Sequence, residues 1–216
     1  MRLRRKPWAR PELAACPFFV DTPRELLGRW HAQFGNGAPL YVELGCGKGG
    51  FLAEAVLRYP EANFLGVDIK SEVLVLAKRK VEQSLAGVQR GAGRVRLTAV
   101  NIERIGEVLN TEDRCERIYI NFCNPWPKKK SQKHRLTHPR QLESYKLFLP
   151  VGGEIHFKTD HDGLFEDTLG YFAECGYEVT EICRDVPAGE GIETEHERMF
   201  RADGIPIKRA VAKRAR

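Results

Sequence analysis

PLYVELGCGKGGFLAEAVLRYPEANFLGVDI, residues 39–69, holds two short apolar runs, a glycine-rich turn and a helical pattern. PLYVELG is apolar without alternation and stops at glycine, as a strand buried on both faces does. GFLAEAVLRYP puts Phe51 and Ala55 on one helical stripe, with Leu52, Val56 and Tyr59 beside it, and Pro60 ends the pattern. ANFLGVDI reads as a second strand. Strand, turn, helix and strand within about thirty residues form a βαβ unit.

The alternation continues downstream. Ser71 is expected to cap a helix over SEVLVLAKRKVEQSLAG, whose stripe is Leu74, Ala77, Val81 and Leu85 and which stops near Gly87. RVRLTAV and RIYINF read as strands, residues 139–149 as a helix and GGEIHFKT as a fifth strand. GLFEDTLGYFAECG is a helix closed by Gly176. YEVTEIC and IPIKRAVA are late strands with no full-length helix pattern between them. The expected class is α/β: a mostly parallel, doubly wound sheet with an antiparallel hairpin at its C-terminal edge. Ligands of such sheets sit beyond the carboxyl ends of the strands. That singles out Glu43–Gly50, Asp68, Asn101, Asn124 onward and Lys158–Asp160.

With 216 residues, 42% of them hydrophobic and 30% charged, the chain can bury one core, which excludes a disordered or low-complexity protein. No apolar run approaches the length of a membrane helix, and no signal-peptide core follows the basic start, so a cytoplasmic protein is expected. Six cysteines without a Cys-x-x-Cys pair read as reduced thiols rather than a zinc site or disulfides. Lys and Arg number 35 against 29 acids. Five cations fall in residues 1–10 (Arg2, Arg4, Arg5, Lys6, Arg10) and five in residues 208–216, both stretches free of acids. A third basic run covers Lys128–Arg140. Basic extremities and one basic loop on an otherwise near-neutral body suit a polyanionic partner. Residues 1–13, basic and aperiodic, are expected to be a mobile arm, and 14–216 a single domain.

Gly45-x-Gly47-x-x-Gly50 after a strand and before a helix is a nucleotide-binding turn, with Asp68 placed for a ribose. A dinucleotide would set its pyrophosphate at the helix start. Glu43 extends the motif to Glu43-x-Gly45-x-Gly47-x-Gly49, and a carboxylate there favours S-adenosylmethionine, which carries an ammonium and a sulfonium and no phosphate. Both ligands stay open on the spacing alone. No P-loop is present.

YINFCNPWPKKKSQKHRLTHPRQL ends a strand in Asn124-Pro125-Trp126-Pro127. Two prolines fix that turn, and Trp126 offers a plane on which a base can stack or which can pack the loop onto the core. The Lys128–Arg135 run can hold phosphates. Taken together, VELGCGKGGF, NPWPKKKSQKHRLT (124–137), GEIHFKTDHDGLFEDTL (153–169) and TEHERMFRADGIPIKR (194–209) resemble the bacterial tRNA (guanine-N7)-methyltransferases, from about residue 40 to the end.

The resemblance implies a Rossmann-like, class I, S-adenosylmethionine-dependent methyltransferase forming 7-methylguanosine at position 46 of the tRNA variable loop. It implies donor contacts at Glu43, Gly45, Gly47, Asp68, Asn101 and Asn124. Substrate contacts fall at Lys128, Asp160, Thr194, Glu195 and Glu197. It implies tRNA as partner, no metal, no membrane, and a monomer or homodimer. Relatives often carry Asp where this chain has Asn124, and Tyr where it has His196.

Guanine N7 has a free lone pair and no proton to lose, so no general base is needed, and catalysis is positioning and control of charge. Asp160 is the expected acid beside the base, with Glu197 a second candidate and Asn124 a positioning amide. Asp162 is expected only to cap the next helix. Two rivals remain. Asn124-Pro125-Trp126 also looks like the Asn-Pro-Pro-aromatic motif of exocyclic-amino methyltransferases, and a tRNA-binding protein without catalysis is the other.

Overall fold

The computed structural model describes residues 6–88 and 91–216. In chain order the elements are α1 (Ala9–Ala14), β1 (Phe19–Val20), β2 (Leu40–Leu44), α2 (Gly50–Arg58), β3 (Asn63–Asp68), α3 (Ser71–Ser84), β4 (Val95–Ala99) and β5 (Cys115–Asn121). Then follow α4 (Pro139–Tyr145), β6 (Glu154–Thr159), α5 (Asp162–Glu174), β7 (Tyr177–Cys183), α6 (Glu195–Ala202) and β8 (Lys208–Arg214). One eight-stranded sheet runs β1-β4-β3-β2-β5-β6-β8-β7. The first six strands in that order pair in parallel, and β8 pairs antiparallel with both β6 and β7. The chain reverses its winding at β2, between β3 and β5. This is the Rossmann-like, doubly wound arrangement, and the crevice beyond β2 is its natural ligand position.

Every residue of β2 is buried, as a central parallel strand requires. Its two faces feed two cores. Tyr41, with Phe51, Leu52, Phe64, Leu74 and Val81, packs under α1, α2 and α3. Leu40, Val42 and Leu44 join Tyr145, Phe157, Phe165 and Phe172 under α4 and α5. Gly66 lets the first core close: a Cβ there would stand 2.8 Å from both Leu52 and Leu97.

Residues 1–13 were expected to be a mobile arm ending at 13, but that boundary falls inside α1. Ala9 and Leu13, one turn apart, are both 1% exposed. Glu12 accepts from Arg79 Nε and Nη2 at 2.8 and 2.6 Å, tying α1 to α3. Two buried positions are too short a stripe to show as helical periodicity. Arg2, Arg4 and Arg5 lie outside the described residues. Two expected caps also differ. Ser71 is the first residue of α3, whose start is held by Lys70 N–H donating to Asp68 Oδ1 at 3.0 Å. His161, not Asp162, caps α5, its ring accepting from Leu164 N–H, while Asp162 pairs with Lys208 at 2.6 Å. The unexpected elements are β1, two residues long, and α6, whose single buried side chain is the charged Glu197.

Candidate active site

Past the end of β2 the chain turns through Gly45, Gly47 and Gly49, all at positive φ. Gly49 has a second constraint, since a Cβ there would lie 2.8 Å from Ala77 Cα and Cβ on α3. The turn spends its own amides. Gly45 and Cys46 N–H donate to Val67 O, Gly49 N–H to Cys46 O, and Gly47 N–H to Asp68 Oδ2 at 3.1 Å. A carboxylate thus takes an amide that a pyrophosphate would need, and Glu43 stands beside it. This chemistry fits a ligand with positive charge and repels a diphosphate.

Two cavities meet at Gly45. One, of about 420 Å³, is bounded by Asp68, Ile69, Asn101, Ile102, Trp126 and His134. The other, of about 200 Å³, lies between Glu43 with the glycine turn and Phe122, Thr194, Glu195 and His196. Glu43 is 3% exposed. Its Oε1 accepts from Asn121 Nδ2 at 3.2 Å, and its Oε2 is buried with no hydrogen-bond partner among the described residues. Burial pushes its carboxyl up to about 8; Asn121 pulls the other way, and the nearby Asp68 adds to the rise. A buried carboxyl with one oxygen unpartnered is costly unless a cation meets it.

The Asn124-Pro-Trp-Pro turn is held from two sides. Asn124 Oδ1 accepts from Trp126 N–H at 3.0 Å, fixing Trp126 at φ 41°. Arg135, 2% exposed, donates to Pro125 O at 2.7 Å and to Asp167 at 2.6 Å. Arg135 was expected in a flexible phosphate-holding run and is instead a buried anchor. Lys128, Lys129, Lys130 and Lys133 of the same run are exposed. Trp126 is 37% exposed against His134, its ring centroid 5.4 Å from the imidazole, so it edges the larger cavity rather than sealing the core. His134 in turn pairs with Glu103 at 2.6 Å.

The expected residues therefore divide. Gly45, Asp68 and Asn101 border the larger cavity, and Glu43, Gly45, Gly47, Thr194 and Glu195 the smaller. Asn124, Lys128 and Asp160 border neither. Asp160 is half-buried at the end of β6, its carbonyl accepting from Lys208 and its carboxylate without a hydrogen-bond partner among the described residues. Its charge reaches Cys123, whose thiol is pushed up to about 12 chiefly by burial. Thr194 caps α6 through Glu197 N–H, and Glu195 pairs with Lys80 of α3 across the glycine turn. Glu197 was expected to touch substrate. It is 1% exposed, and both its oxygens are taken, by Lys158 at 3.0 Å and Arg201 at 2.9 Å, so its carboxylate is structural. Asn121 was not anticipated, and Lys158 was singled out only by its place at the end of its strand, with no role assigned. Both are polar interruptions of apolar strands, the trace such residues leave in a sequence.

A family described as "Putative methyltransferase" matches residues 37–210. The chain is 53% identical to a tRNA (guanine-N(7)-)-methyltransferase of Clostridium perfringens (strain SM101 / Type A), over 99% of this chain and all of that one. It is 54% identical to the protein of the same name from Ruminiclostridium cellulolyticum, covering 98% and 92% of the two. Among solved structures, the 16S rRNA methyltransferase KamB superposes with TM-score 0.61 at 12% identity, over 87% of this chain and 93% of that one. A 16S rRNA (adenine(1408)-N(1))-methyltransferase from Catenulisporales acidiphilia, solved with cosubstrate SAM, gives 0.60 at 13% identity, over 90% and 92%. These two show the shared fold.

Proposed function

Because the chain belongs to the tRNA (guanine-N(7)-)-methyltransferase family, we propose that it methylates N7 of guanosine 46 in the tRNA variable loop, with S-adenosylmethionine as donor. The observation that carries the donor assignment is the buried, half-unpartnered carboxyl of Glu43 in the smaller cavity, two residues before the Gly45 at which the cavities meet. The donor supplies a methyl group already activated by its sulfonium.

The chain's residues then bind, orient and balance charge. Glu43 meets the donor's ammonium with Oε2. Asp68, whose oxygens each retain a lone pair beyond the bonds to Gly47 and Lys70, accepts from the ribose hydroxyls. Asn101 uses Oδ1 to accept from Glu103 N–H, which leaves its amide donors for the nucleoside. Ile69 and Ile102 supply apolar walls for adenine. Lys128 and the neighbouring exposed lysines take tRNA phosphates.

N7 of guanine has no proton to give up, so no residue acts as a base. Positive charge passes to the guanine as it is methylated, and Asp160, with an unengaged carboxylate, is the acid that balances it. Asn124 forms the turn rather than holding a charge. Exocyclic-amino chemistry would need the Asn124 oxygen turned to the target amine, whereas here it holds the turn through Trp126 N–H and Asn124 borders neither cavity. The test is methylation of unmodified tRNA transcripts carrying guanosine or adenosine at position 46. Transfer to the first alone supports the assignment, and equal transfer to both refutes it.

A further inference from the structure

Lys158 sits at the carboxyl end of β6 and is 8% exposed. Its ammonium donates to Ile192 O and to Glu197 Oε2, each at 3.0 Å. Its carbonyl accepts from Phe122 N–H at 2.9 Å. Phe122 is a non-glycine residue at φ 51°, a conformation that the surroundings must enforce. One residue thus grips both flanks of the smaller cavity: Phe122 by its backbone, and the 192–197 segment by its side chain. Thr194, Glu195 and His196, which form that flank, lie between the two points where Lys158 holds on.

Lys158 and Glu197 are closed off from solvent, and their neighbours Arg201 and Glu193 are half-buried. Glu197 balances Lys158 and Arg201, and Glu193 adds a contact to Arg201 at 3.4 Å. Such a network is a poor way to gain stability, because desolvating its members offsets most of the attraction. It is an effective way to fix geometry, because each partner has few alternatives once buried. α6 buries no apolar side chain, so its first turn is seated against the sheet by this ionic contact together with the Phe122 ring, whose centroid lies 5.9 Å from those of both His196 and Phe200.

We propose that Lys158 is a positioning residue for the methyl donor, holding the Phe122 and Thr194–His196 flanks at the separation the donor's amino-acid end requires. This rests on the reading of the Glu43 cavity as the donor site. Lys158 touches neither donor nor base; it acts through Glu197, Ile192 and Phe122.

The test is calorimetric titration of S-adenosylmethionine into the full-length wild type and Lys158→Met, alongside tRNA binding and hydrogen exchange. Lys158→Met keeps the length of the side chain and removes the ammonium. The expected result is donor affinity weakened about tenfold or more, tRNA affinity unchanged, and faster amide exchange confined to residues 192–202. A folded Lys158→Met with wild-type donor affinity overturns the inference. So does one that loses tRNA affinity and keeps donor affinity, since Lys158 would then serve the base. If circular dichroism shows Lys158→Met unfolded, Glu197→Gln carries the same test. It keeps the shape and removes the charge that holds Lys158 and Arg201, and unaltered donor affinity and exchange in that variant overturn the inference equally. A wild type that does not bind the donor overturns the donor reading itself, and the inference with it.

Discussion

Replacing Glu43 with Gln should stabilise the donor-free protein at neutral pH while destroying its donor site. The Glu43 carboxyl is lifted from an ordinary 4.5 to about 8 by burial, with Asp68 facing it and only the Asn121 amide to relieve it. A raised value means the folded state holds a proton that the unfolded state releases. Stability from this group is therefore full below about pH 4.5 and is lost as pH rises through about 8. At about 1.4 kcal/mol per pH unit, that window is worth about 5 kcal/mol, and about 3 kcal/mol of it is gone by pH 7. Gln has the same shape, donates or accepts at Asn121 after an amide flip, and does not titrate. The assay is urea unfolding of both proteins from pH 4.5 to 8.5, with the other titrating groups cancelling in the difference. Glu43→Gln should match the wild type near pH 4.5 and exceed it increasingly to pH 8. A pH-independent difference, or a variant less stable at pH 7, would refute the reasoning.

In single-turnover methylation of saturating tRNA, Asp160→Asn should lose about 2–4 kcal/mol of barrier lowering, more than Asn124→Ala loses, with donor affinity held. Near-normal turnover in Asp160→Asn with Asn124→Ala inactive would invert those roles. Gly49→Ala combines a positive φ with a 2.8 Å approach to Ala77 and should cost about 1–3 kcal/mol, seen as a fall in Tm of several degrees. Lys128→Ala should weaken tRNA binding and reduce its salt slope by about one, and an unchanged slope would remove Lys128 from the phosphate contacts.

What the sequence disclosed follows from what periodicity can encode. β2 and β3 are read easily as unbroken apolar runs, and α2 and α3 because their buried positions recur at helix spacing. α6 hides because its buried face is Glu197, paired with Arg201 one turn on, and a charge-lined helix carries no apolar stripe. β1 is too short to alternate. The donor side of the site was legible as Glu43, the glycines and Asp68 because the first two share one strand end and its turn, and Asp68 ends the next strand of the same βαβ unit. The substrate side was less so. Nothing in the order of residues tells that Lys158, far from Glu197 along the chain, would consume its carboxylate, or that Arg135 turns inward while its lysine neighbours stay in water.

The central claim is that a cationic donor meets Glu43 in the smaller cavity, beside the Gly45 at which the cavities meet. It is tested most directly by titrating S-adenosylmethionine into the wild type at pH 6.5 in two buffers of different ionisation enthalpy. Near that pH Glu43 is protonated in the donor-free protein, and the ammonium should draw it into its ionised form. The account predicts tight binding with release of about one proton per donor, and no proton release from Glu43→Gln. Donor binding without proton release, or binding of a nicotinamide dinucleotide in its place, would contradict it.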